Sequence, residues 1–325
     1  MTMWEEMRLS LAQMRLSPER AEREVARVAT PPAELPENTE KPVCAAASVQ
    51  FRIFGGLPEY IENLNLYYSK AAAHRAALLV LPEFFQLHAL SLIPGFASRA
   101  QTRRNKQKNV YDLVKELSEG QLSLLNEITS SAVSAFSRTY HMITVVGAGL
   151  LRKNGGLYLR STVFDANGAV AGCQDKLYRS EECDDSELLL SDRLTVVETP
   201  IGGVCVLAGA DALDWKSTRA AVEAGAKILA APMALKQPYE SFTAMRDVQT
   251  QVQFDYAFGI KACLIGGDEI GLRLQGKALI AAPFKMTPSL NGLLACATAP
   301  QKGHVIAAAL DMAALEEYTD FYTGK

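Results

Sequence analysis

Apolar and polar positions along this chain follow two alternating rhythms. Ala45 to Arg52 is a strand-like run, Leu57 to His74 repeats its apolar residues at helical spacing, and Ala76 to Leu81 is a second buried strand. Ser118 to Thr139 reads as a helix and Met142 to Gly147 as a strand, and further strands fall around Ser161 to Phe164 and over Val170 to Asp175, just ahead of Lys176. Val204 to Ala208 is a strand, Ser217 to Ala224 a helix, Lys227 to Ala231 a strand and Ser241 to Tyr256 a helix. Strands over Ala262 to Ile265, Ala278 to Ala282, Leu293 to Thr298 and Val305 to Leu310 precede a last helix, Ala313 to Tyr318. Strands alternating with helices predict the α/β class, and pattern alone leaves the sheet topology open.

Ahead of this alternation, residues 1–30 read as helical and amphipathic. Ser17-Pro18 is a good helix start, with serine as the cap and proline at the first helical position. Pro31 to Pro42 is rich in proline and glutamate and reads as a linker. The pattern divides the chain into a helical arm and linker over 1–42 and one domain over 43–325. The arm reads either as an ordered or floppy extension or as a contact for an oligomer partner, and the sequence does not choose. Arg103-Arg104-Asn105-Lys106-Gln107-Lys108 is a basic run in a predicted loop, read as solvated surface before any anion or partner contact.

Composition narrows the function classes. The chain has 325 residues, 49% of them hydrophobic and 21% charged, enough for a large buried core. A net charge of −3 lacks the basic excess of a general nucleic-acid binder. The 6 cysteines include no C-x-x-C pair and the 4 histidines are dispersed, so neither a metal site nor a cofactor is expected. Met1 to Arg15 is broken by Glu5, Glu6 and Arg8, unlike a signal peptide, and no run approaches the roughly 20 apolar residues of a membrane span. The expectation is a cytoplasmic protein with reduced thiols and no membrane partner.

Two residues stand out for chemistry. Glu83 follows a proline at the end of a buried strand, beside Phe84 and Phe85, where partial desolvation suits a carboxylate to proton transfer. Its plain reading is a surface glutamate at a strand end. Lys176 also ends a strand, and taken alone it reads as a surface lysine.

Three segments bring these residues into one frame. Leu81-Pro-Glu-Phe-Phe85, Gln174-Asp-Lys-Leu-Tyr178, and Thr199 to Asp211 running into Ala224 to Pro232 resemble, in order and spacing, the nitrilase or carbon–nitrogen hydrolase superfamily. Gly276 to Pro283 resembles a late strand of that family, with Ala278 in place of a serine, and Met245-Arg246 falls early in a helix that there shapes the pocket. The resemblance covers about Cys44 to Asp320. It implies an α-β-β-α sandwich, two mixed sheets face to face with helices outside, and a Glu-Lys-Cys triad. It makes Glu83 the general base and Lys176 the oxyanion stabiliser. It places a second pocket carboxylate at Asp184, with Glu181, Glu182 and Glu187 near enough to compete. It also implies a homo-oligomer.

The nucleophile breaks the frame. Where the family reads Ile-Cys-Tyr-Asp, this chain reads Ala208-Gly209-Ala210-Asp211. Hydrolysis of an amide or nitrile by this route needs a thiolate that attacks carbon, and glycine has no side chain. Asp214-Trp215-Lys216 departs from the family as well, whereas Asp211 keeps an aspartate whose implied role is structural. Cys205 lies four residues earlier in a strand, roughly 13 Å away. Cys183 lies in an acidic loop that disfavours its thiolate. The expected protein is a pseudoenzyme that binds a small amide, nitrile or carboxylate ligand or acts in an assembly. The alternative is an active amidase-type hydrolase of non-peptide C–N bonds, with Gly209 an engineered or variant residue. A third reading is a structural subunit.

Overall fold

The structure is a computed structural model that describes residues 16–36, 40–93, 96, 117–179, 187–236 and 246–324. Its strands are β1 (Val43–Gln50), β2 (Leu78–Leu81), β3 (Ile143–Lys153), β4 (Gly156–Phe164), β5 (Val170–Asp175), β6 (Val196–Val197), β7 (Val204–Val206), β8 (Ile228–Met233), β9 (Phe258–Ile265), β10 (Leu279–Ala281), β11 (Leu293–Cys296) and β12 (His304–Ala309). Its helices are α1 (Pro18–Val28), α2 (Leu57–Ala73), α3 (Glu119–Tyr140), α4 (Trp215–Glu223), α5 (Val248–Asp255) and α6 (Met312–Thr323).

Among the described residues the strands form one hydrogen-bonded network that branches at β1 and β9. One edge of β1 pairs antiparallel with β12. Its other edge pairs parallel with β2 over Cys44 to Ala46, then with β9 over Ser48 to Gln50. β9 in turn carries β8 on one edge and β10 on the other. The network therefore splits into two halves, β5-β4-β3-β2-β1-β12 and β6-β7-β8-β9-β10-β11, joined where β1 and β9 end. Both halves mix parallel and antiparallel pairs.

The two-residue period of a strand sorts the side chains into layers. Cys44, Ala46, Leu78, Val80, Ile143 and Val145 of the first half pack against Val204, Val206, Ile228, Ala230, Phe258 and Ile260 of the second. The alternate residues Ala45, Ala47, Val49, Leu79 and Leu81 face α2 and α3, while Leu229, Ala231 and Met233 face α4 and α5. With both faces covered, the strands read as continuous apolar runs rather than alternating ones. This is the sandwich of two mixed sheets between helices.

α1 belongs to the outer helical layer. Ser17 caps it by accepting from the Arg20 N–H, Ala21 and Val25 are buried, and the Ser131 hydroxyl of α3 donates to the Pro18 carbonyl at 3.2 Å.

Several elements differ from the sequence pattern: β9 begins four residues ahead of the expected Ala262, and α6 runs five past Tyr318. β3 and β4 run on to a tight hairpin in which Lys153 pairs with Gly156. Asn154 (φ +52°) and Gly155 (φ +76°) both take the left-handed conformation of a type I′ turn. Glycines at 147, 149, 155 and 156 interrupt the apolar rhythm and hide these strands. α5 begins at Val248, because Asp247 caps it and Arg246 lies in the turn before; 241–245 lie outside the described residues. The two-residue β6 is too short to leave a pattern.

Candidate functional site

Three strand ends converge on one buried ion pair. Glu83 follows β2 by two residues, Lys176 follows β5 directly, and Gly209 lies three residues past β7. The Lys176 ammonium donates to Glu83 Oε1 at 3.2 Å and to the Ala208 carbonyl at 2.5 Å. Glu83 is 3% exposed and Lys176 1%.

Local chemistry holds each group in place. Phe84 takes a left-handed backbone (φ +57°), uncommon for an aromatic residue, and its N–H donates to the Ala148 carbonyl at 2.8 Å. Gly147 lets β3 approach this turn, since a Cβ there would fall within 2.5 Å of the Glu83 nitrogen and the Pro82 carbonyl carbon. On the lysine side, the Lys176 N–H donates to the Leu159 carbonyl at 2.8 Å. The Leu177 and Tyr178 N–H groups donate to the Asp211 carboxylate at 3.1 and 2.9 Å. Asp211 thus ties the segment after β7 to the segment after β5. Burial raises its pKa, opposed by the Lys176 charge and the two N–H donors. One strand register back, Arg160 grips Asp175 through two hydrogen bonds of 2.7 Å.

Gly209 is buried and left-handed (φ +54°). A Cβ on it would fall 2.7 Å from Glu83 Oε2, 2.7 Å from Lys176 Nζ and 3.1 Å from Glu83 Oε1. The carboxylate and the ammonium therefore close over the place a side chain would take. The buried thiols do not stand in for it. Cys205 is in the core between the second sheet and its helices, and burial first, then the Asp211 charge, pushes its pKa up to about 12. Burial likewise pushes Cys263 up to about 12, and it raises Cys44, between the sheets.

The structure thus brings Glu83, Lys176 and Gly209 together. Asp184, with Glu181, Glu182, Cys183 and Met245, lies outside the described residues; Glu187 and Arg246 are exposed. Sequence reasoning missed the Ala208 carbonyl as a lysine partner, the close approach at Gly147, and the grip of Asp211 on Leu177 and Tyr178. Only Gly147 carried a signal, as a glycine inside a strand pattern. A second buried pair joins Lys261 of β9 to Asp247, which also caps α5 through the Val248 N–H at 2.7 Å.

Comparison with known proteins agrees with this fold. A family model described as carbon–nitrogen hydrolase matches residues 45–320. A carbon–nitrogen hydrolase from Helicobacter pylori superposes with a TM-score of 0.66 at 16% identity, covering 88% of this chain and 94% of that one. A double mutant of the amidase from Nesterenkonia sp. in complex with acrylamide gives 0.63 at 14% identity, covering 90% and 99%. A further mutant of that amidase, with the acetamide moiety of fluoroacetamide added covalently at its active-site cysteine, gives 0.64 at 14% identity, again covering 90% and 99%. No match is found among curated proteins. At these identities the solved structures speak for the fold, and the family model speaks for descent: the chain belongs to the carbon–nitrogen hydrolase family, with the fold of the nitrilase superfamily.

Proposed function

We propose that this chain is a pseudoenzyme of its family, binding a small amide, nitrile or carboxylate without cleaving it. One observation carries the reading: Glu83 Oε2 and Lys176 Nζ each stand 2.7 Å from the Cβ position of a residue that has no side chain. In the thiol route, sulfur attacks the carbonyl or nitrile carbon, the base takes the thiol proton, and the lysine meets the developing negative charge. Without sulfur the first bond cannot form. A ligand here must part the buried pair: its carboxylate or carbonyl oxygen would then accept from Lys176, and an amide N–H would donate to Glu83. No described helix is long and apolar enough to cross a membrane.

The test is ammonia release from a panel of small amides and nitriles by the chain and by its Gly209→Cys variant, with calorimetric binding of the same compounds. The reading expects binding without ammonia from the chain, binding lost in Lys176→Met, and turnover only in the cysteine variant. Ammonia released by the unmodified chain, and abolished by Glu83→Gln, would establish an active amidase instead. Absence of both binding and turnover in both proteins would favour a structural subunit.

A further inference from the structure

On the helix side of the first sheet, a cavity of about 210 Å³ opens between α3 and the β3–β4 hairpin. At about 30 Å³ per water it holds roughly seven waters, or one short organic molecule. Its wall carries Gln86, from the turn after β2, and Asn126 of α3. The Gln86 and Asn126 amide nitrogens both donate to the Leu150 carbonyl, at 3.0 and 2.9 Å, which sets the two carboxamides side by side.

That shared acceptor leaves two oxygens over. Among the described residues, neither Gln86 Oε1 nor Asn126 Oδ1 receives a hydrogen bond, although Gln86 is only 6% exposed. A buried carbonyl oxygen without a donor is uncommon. The chain makes room for it: Gly149, at the β3 bulge, also lines the cavity, and a Cβ there would fall 1.5 Å from Gln86 Oε1. Arg160 lines the cavity too, but Asp175 engages its guanidinium twice, so its charge is already balanced. Leu151 and Phe164 supply apolar wall.

Two acceptor oxygens, a neutralised cation and a wall that mixes Leu151 and Phe164 with the Ser130 and Thr162 hydroxyls favour a neutral ligand that donates from one end. We propose that this cavity is a second ligand site, for a short-chain molecule ending in a neutral NH₂ group such as a primary carboxamide or a urea. The NH₂ bonds to Gln86 Oε1 and Asn126 Oδ1, and the alkyl end lies on Leu151 and Phe164. A carboxylate of the same shape offers only acceptors to these two oxygens and keeps only wall hydroxyls such as Ser130 and Thr162 as donors, so it binds more weakly. The proposal stands on its own geometry and does not depend on whether the Glu83–Lys176 site turns over.

The test is a titration of the deuterated, ¹⁵N-labelled full chain with butyramide and, separately, with butyrate, followed at the Gly149 amide and the Gln86 and Asn126 side-chain NH₂ signals. Saturable shifts with butyramide, at least about tenfold tighter than with butyrate, are expected. Gly149→Ala, which drives Gln86 off its seat, and Asn126→Leu, which suits a helix and keeps the fold, should each weaken binding by about tenfold or more. Equal binding of butyrate, indifference to both variants, no saturation by about 100 mM, or shifts confined to the surroundings of Gly209 would each overturn the proposal.

Discussion

The closure of Glu83 and Lys176 over Gly209 can be measured by adding a single carbon. In Gly209→Ala the new Cβ starts 2.7 Å from both Glu83 Oε2 and Lys176 Nζ. Each must retreat by roughly 0.7 Å or more to reach ordinary contact. Both are ends of flexible side chains, so the retreat is possible, but it stretches a buried pair bonded at 3.2 Å. Loosening such bonds costs about 1–3 kcal/mol, and an alanine at φ +54° adds about 1 kcal/mol of backbone strain. The expected loss of stability is about 2–4 kcal/mol. Gly155→Ala separates the two parts. It is also left-handed, at φ +76°, and its Cβ meets nothing within 4 Å, so it carries strain without collision and should lose about 1 kcal/mol. Urea unfolding followed by circular dichroism, with m-values compared to check that the transition is unchanged, gives both numbers. A difference between the variants below about 0.5 kcal/mol would refute the closure, because it would mean that position 209 has room for a side chain.

Three further outcomes follow from the same geometry. His88 is buried with its ring nitrogens 3.1 Å from the Phe85 and Gln50 carbonyls, and burial pushes its pKa down from 6.5 to about 4. The unfolded chain therefore takes up a proton that the folded chain refuses: the His88 contribution is intact above pH 6.5 and falls by about 3 kcal/mol as pH drops toward 4, so His88→Gln should flatten that part of the stability profile. Asp211→Ala strips the acceptor from two N–H groups, and should cost about 1–3 kcal/mol and speed amide exchange at Leu177 and Tyr178 by about tenfold; unchanged exchange would show that Asp211 does not hold that segment. Glu83→Gln and Lys176→Met should each cost about 3–5 kcal/mol, while the double variant costs less than their sum; strict additivity in the cycle would mean the charges are not coupled.

How much could be read in advance depended on what was local. Strands with both faces buried, such as Leu78–Leu81 and Ile228–Met233, showed as apolar runs, and α2 showed through its spacing from Leu57 to Ala71. The β3–β4 hairpin did not, because its glycines break the apolar count, although Asn154-Gly155 is a turn signal in its own right. Glu83, Lys176 and Gly209 were legible only as positions in a family frame. Their meeting requires three strand ends to close on one point, with Glu83 and Lys176 alone 93 residues apart. The Ala208 carbonyl and the Asp211 grip depend on backbone direction after β7, which no side-chain pattern encodes.

A buried Glu–Lys pair is poor evidence of turnover once its place in the fold is understood. Lys176 bonds to the carbonyl just ahead of Gly209, and Asp211, just behind it, bonds to the two N–H groups that follow Lys176. Each of these two segments therefore fixes the other, and Glu83 joins the end of β2 to Lys176. Removing either charge leaves the other buried and uncompensated, at about 3–5 kcal/mol, so the pair resists single changes even though burying it carries its own desolvation cost. The pair is thus held by folding alone, with or without a thiol beside it. On the reading proposed above, what separates binding from catalysis is a sulfur at position 209, where the chain has only backbone.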